Sequence, residues 1–168
     1  VTFVVGDWNH NAQPTIYPRI RRSTGTGPVD IEFEGDADAI VPAPATPYTL
    51  TSSWSTQDVA EVYDLWIPGG VGGGKDVAIM VESLTGDLDL GIELFRSNGA
   101  EYFAGRNSGV ASANALGAGG TEGLVYHATT SDYYGLVVFN NNDNAGTWRL
   151  TIYDPNVLDA GGPAVPTE

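Results

Sequence analysis

The stretch "GDLDLGIELF" (residues 86–95) alternates apolar and polar side chains almost without a break. In an extended chain Leu88, Leu90, Ile92 and Leu94 fall on one side and Asp87, Asp89 and Glu93 on the other, because successive strand residues point to opposite faces. This period of two reads as a half-buried strand. The pattern recurs in "DVAIMVES" (76–83), with Val77, Ile79 and Val81 on the stripe, and in "TWRLTIY" (147–153), with Trp148, Leu150 and Ile152. Similar short runs follow one another from residue 48 to 154: "YTLTSSW", "EVYDLWI", "EYFAG", "GLVYHA" and "YYGLVVF". Regular alternation from strand to strand predicts sheets with one wet face.

The chain between these runs is punctuated by turn formers, 22 glycines and 10 prolines in 168 residues. A helical period of useful length is absent from the sequence. The expected fold is therefore all-β: an antiparallel β-sandwich, jelly-roll-like, with an N-terminal strand and hairpin extension. Four segments are expected. Residues 1–41 hold a strand and a hairpin, and 42–47 form a stiff Pro-rich connector. Residues 48–154 form the sandwich, and 155–168 form a tail. Within the stretch 108–123, glycine and alanine predict a long loop.

Seven Lys and Arg stand against 21 Asp and Glu, for a net charge of −14. Such a surface repels phosphate, so nucleic acid and anionic membranes are not expected partners. Cysteine is absent, which removes disulfides, zinc–thiolate sites and a thiol nucleophile. No run of about 18 apolar residues occurs, so no membrane insertion is expected. The opening "VTFVV" lacks a basic segment and a small-residue cleavage site, so it does not read as a secretory leader.

Three pieces carry a resemblance: "YDLWIPGG" (63–70), "GDLDL" (86–90), and the run "DYYGLVVFNNNDNAGTWRLTIYD" (132–154). Over residues 48–154 the chain resembles the bacterial pre-peptidase C-terminal domain family. The resemblance implies a jelly-roll sandwich that is extracellular (secreted or on the cell surface) and non-catalytic. Such domains sit beside secreted hydrolases and assist secretion, maturation or attachment to substrate. Here no catalytic segment accompanies it, which weakens the reading as a protease accessory.

The first residues echo the last strands. Aligning Phe3, Val4 and Val5 with Leu136, Val137 and Val138 brings "NHN" (9–11) onto "NDN" (142–144). Val29, Ile31 and Phe33 then fall on Trp148, Leu150 and Ile152. Residues 1–34 thus read either as the closing strands of a preceding unit or as an added hairpin. In the first case, Phe3, Val4, Val5, Val29, Ile31 and Phe33 are the candidate self-assembly residues. They would join a neighbouring copy by β-augmentation. A head-to-tail contact that does not close builds a filament. In the second, the same strands pair within their own chain. Within the hairpin itself, Arg19 and Arg21 share a face and could stand opposite Asp30 and Glu32 as cross-strand ion pairs.

"GDADA" (35–39) and "GDLDLG" (86–91) each space two aspartates by two, so Asp36, Asp38, Asp87 and Asp89 are candidate Ca²⁺ ligands. Asp also commonly hydrogen-bonds its own turn. His10 and His127 are the only histidines, and neither belongs to a hydrolase or zinc motif. Trp66 falls on the opposite face from Tyr63, Leu65 and Ile67, and is the candidate for stacking on polysaccharide. "GGVGGG" (69–74) reads as a loop tip. The sequence therefore points to a non-enzymatic, extracellular structural subunit that polymerises by strand donation. The second reading is a binding or processing module of a secreted hydrolase acting on polysaccharide or a collagen-like substrate.

Overall fold

The computed structural model describes residues 3–6, 24–27, 36–41, 46–69, 74–96, 102–105 and 109–156. Eleven strands lie within them. β1 is Phe3–Gly6, β2 Asp36–Ile40, β3 Tyr48–Trp54 and β4 Ala60–Ile67. β5 is Lys75–Thr85, β6 Leu90–Arg96, β7 Tyr102–Gly105 and β8 Ala111–Ala113. β9 is Thr121–Ala128, β10 Asp132–Asn140 and β11 Gly146–Tyr153.

Two sheets share one core, in the orders β2-β4-β10-β6-β8 and β3-β11-β5-β9. Every pairing in them is antiparallel except β2 with β4, which is parallel. From β3 to β6, and again from β8 to β11, each successive strand changes sheet. The expected all-β sandwich is thus the architecture observed.

The predicted stripes form the core. Leu88, Leu90, Ile92 and Leu94 pack with Ile79, Val81, Trp148, Leu150 and Ile152 across the sheets. Tyr63, Leu65, Ile67, Leu136 and Val138 complete the same cluster, and Trp54 lies 5.0 Å from Trp148 between ring centroids. At about 25 cal/mol per Å² of apolar surface removed from water, this layer is the main stabilising term.

Four local features differ from the sequence reading. The "GDLDL" alternation begins in a turn, since Asp87 has φ +48° and β6 starts only at Leu90. Glycine is required at the neighbouring Gly86, where φ is +86° and a Cβ would stand 2.1 Å from the Ala145 carbonyl oxygen. A short strand, β8, lies inside the stretch expected to be loop, and it pairs with β6 through Ile92↔Ala113. β7 joins neither sheet but pairs with β1.

The fourth difference is larger. Glu93 is buried rather than wet, and so are Phe95, Val137 and Phe139 at outward positions of the five-stranded sheet. These three aromatic and aliphatic groups form a second apolar cluster, with Val62 and Tyr133 against it. The sheet is therefore covered on both faces. A carboxylate placed by alternation on its outer side ends up inside, where Glu93 Oε1 accepts the Gly109 amide at 2.6 Å.

Candidate functional site

The first strand is the sequence-predicted assembly element, and within the chain it has a partner. β1 pairs antiparallel with β7 in the register Phe3↔Gly105, Val4↔Ala104, Val5↔Phe103 and Gly6↔Tyr102. This ribbon is hydrogen-bonded to neither of the two sheets. An isolated two-stranded ribbon is marginal in water. Val29, Ile31 and Phe33 lie outside the described residues, as do His10, Arg19, Arg21, Asp30 and Glu32. β2, from the same N-terminal block, is an edge strand of the five-stranded sheet, and its Ile40 is part of the core.

The sandwich exposes four edge strands among the described residues: β2 and β8 on one sheet, β3 and β9 on the other. Beside β3 lies a polar pin between the sheets. Glu61 of β4 accepts hydrogen bonds from Ser52 Oγ and Trp54 Nε1, both at 2.9 Å, and from the Tyr63 hydroxyl. Burial, reinforced by the Glu61 carboxylate, pushes the Tyr63 hydroxyl well above the ordinary tyrosine value. The carboxylate is thus fully engaged in holding β3 to β4. Charge-assisted bonds of this kind are stronger than neutral ones.

The asparagine run "NNNDN" (140–144) has a clear structural use. The Asn140 amide donates to the carbonyls of Asp58 and Asn144, at 3.1 and 3.0 Å. Asn141 donates from its side chain to Asn114 Oδ1 at 2.9 Å and from its backbone to the Asp89 carbonyl at 2.8 Å. Asn142 and Asn144 both donate to the Asp87 carbonyl, at 2.9 and 3.3 Å. One turn therefore ties three other loops together at one end of the sandwich. Asp87 and Asp89 sit in this knot, while Asp36 and Asp38 are on β2. Among the described residues no three His, Cys, Asp or Glu side chains converge as a metal-binding group. The backbone oxygens of Asp87 and Asp89 already accept amide protons.

The opposite end carries the aromatic and histidine candidates. Trp66 and Tyr133 are cross-strand partners with ring centroids 4.9 Å apart and planes 60° from parallel. Both are half-buried, on the outer side of the five-stranded sheet. His127 stands opposite Asp76 on β9 and β5, with its Nδ1 2.6 Å from Asp76 Oδ1. Its Nε2 lies against Gly74, where a Cβ would come within 2.3 Å. Asn156 Nδ2 donates to Asp76 Oδ2 at 3.0 Å. That bond, helped by His127, lowers the Asp76 pKa below the usual carboxylate value. The group reads as a clasp joining the chain after β11 to the β5/β9 end. Sequence reasoning missed both: the clasp joins residues 51 and 80 positions apart, and the pin, though its members lie within nine residues, links two strands that belong to different sheets.

No protein-family model and no curated protein matches the sequence. Solved structures do. The pre-peptidase C-terminal domain of a collagenase from Bacillus anthracis aligns at 17% identity with a TM-score of 0.50, covering 73% of this chain and 97% of that one. The Yersinia pseudotuberculosis-derived mitogen aligns at 16% identity and TM-score 0.43, covering 70% and 91%. CorA, a surface-associated copper-binding protein of Methylomicrobium album BG8, aligns at 12% and 0.44, covering 73% and 100%. The chain is thus similar in fold to the collagenase domain, the architecture that "GDLDL" and the closing strand implied.

Proposed function

We propose that this chain is a non-enzymatic, extracellular structural subunit that assembles head-to-tail by donating its first strand to a neighbouring copy. The observation that carries the reading is the placement of β1. Its four residues pair with β7 and with neither of the two sheets, so β1 can leave without breaking a ladder bond of the sandwich. Exchange of such an element between copies is a low-cost route to assembly. Among the described residues, the sandwich keeps unpaired edges that can receive a strand.

The half-exposed Trp66–Tyr133 pair favours a second reading, an accessory module that stacks on polysaccharide. The two readings differ in stoichiometry. Electron microscopy of the full chain beside the Phe3→Asp/Val5→Asp variant separates them. Fibres from the parent and monomers from the variant are expected. Monomers from both, together with polysaccharide binding lost in Trp66→Ala, would favour the accessory module.

A further inference from the structure

The four edge strands are protected unequally, and the difference selects one of them. β8 is only three residues long. β2 carries Asp36 and Asp38, and its register against β4 breaks between Ala37 and Ile40. β9 begins beside Glu122, a buried carboxylate that holds the adjoining loop by accepting the Leu116 amide at 2.5 Å. Shortness, charge, irregular register and inward-pointing acids are the usual means of keeping a sheet edge from pairing with another chain.

β3 has none of these. Its seven residues include no proline and no charged side chain. Its register against β11 runs unbroken from Tyr48↔Ile152 to Trp54↔Gly146. Among the described residues, nothing pairs with its other edge. The inward side chains agree. Tyr48 and Leu50 pack on the core but are only half-buried, whereas Leu150 and Ile152 beside them on β11 are 0% exposed. The core is left partly open along this edge.

From this we infer that β3 is the acceptor edge and that its occupant is the Phe3–Gly6 strand of a second copy of this chain. The inference rests on the strand-donation reading. Backbone pairing would supply affinity, and alternate apolar residues of the incoming strand would complete the half-open core. Phe3 and Val5 share one face of that strand, and Val4 takes the other. Charge points to the same occupant. Residues 1–34 hold three of the seven basic residues and four of the 21 acidic ones, so they carry −1 against −13 for the rest of the chain. The donated strand Phe3–Gly6 carries no charge and neither does β3, so their contact adds no repulsion to the acidic body. Length also permits it. Residues 7–35 connect β1 to β2 and, fully extended, reach on the order of 100 Å.

The absence of native cysteine makes the test direct. Val4→Cys chains are mixed with size-tagged Thr51→Cys chains and joined with a short bismaleimide. A parallel mixture uses tagged Val125→Cys, on the exposed outer face of β9. A third sample is the Val4→Cys/Ala104→Cys double variant, which reports pairing within one chain. The expected result is a Val4–Thr51 product between chains, at least tenfold more abundant than the Val4–Val125 product. A dominant Val4–Val125 product alongside fibres would overturn the assignment to β3 and leave strand donation standing. Crosslinking confined to single chains, with no fibres at any concentration, would overturn both.

Discussion

On the five-stranded sheet, the outward side chains Phe95, Val137 and Phe139 are no more than 2% exposed; on the four-stranded sheet, Thr49, Thr51, Val125 and Arg149 stand in solvent around a smaller buried patch of Ala78, Met80 and Tyr153. The two sheets share a core yet differ in how far their outer faces are covered. One is a middle layer, covered on both sides, with a short edge at β8 and an irregular one at β2. The other has an outer face that is wet along β3 and β9 and covered only at the centre, and at β3 a long regular edge with a half-open core behind it. The proposed contact with another copy falls on the four-stranded sheet. The covered sheet supplies stability.

The largest expected effect breaks or upholds this contrast. Phe95→Ala removes a fully buried ring at an outward position and should cost about 3–5 kcal/mol, as a core phenylalanine does. Val125→Ala, on the wet face, should fall within about 0.5 kcal/mol. Denaturant unfolding of both variants measures the difference, and equal costs would erase the distinction between the faces.

A smaller effect sharpens the role of the β3 seam. Glu61→Leu leaves the Trp54 indole, the Ser52 hydroxyl and the Tyr63 hydroxyl without their shared acceptor. Unfolding experiments should register a loss of about 1–3 kcal/mol. A neutral result would mean that the pin does not hold the sheets together.

The smallest effect appears with pH. Burial raises the hydroxyl pKa values of Tyr63 and Tyr134, the latter to about 12 with help from a hydrogen bond to Tyr126. Their folded values exceed the ordinary 10.0. The associated stability is fully present below pH 10 and is lost as pH rises toward the folded values. Thermal melts should hold steady to about pH 10 and then fall. Tyr134→Phe should lessen the fall between pH 10 and about 12.

Much of this was legible in the residues. The strand "YTLTSSW" is observed over the same seven residues that its alternation marked. The core stripes were likewise readable. "GDLDL" misled about where β6 starts, because alternation continues smoothly through a turn in which Asp87 adopts a left-handed conformation. Glu93 misled because alternation distinguishes two faces of a sheet and cannot say that the outer one is wet. A signal for the covered face was present: "GLVVF" places Val137 and Phe139 outward, giving β10 apolar residues on both sides, as in buried strands. The asparagine knot was not readable. Its partners Asp58, Asp87 and Asn114 lie 27 to 82 residues away, and a single sequence does not bring them together. The β1–β7 pairing was hidden for the same reason.

The most direct measurement is electron microscopy of the intact chain over a concentration series, with and without a synthetic peptide of sequence VTFVVG. Strand donation predicts fibres that lengthen with protein concentration and shorten as the peptide occupies the acceptor edge. Monomers at every concentration, or fibres indifferent to excess peptide, would contradict it.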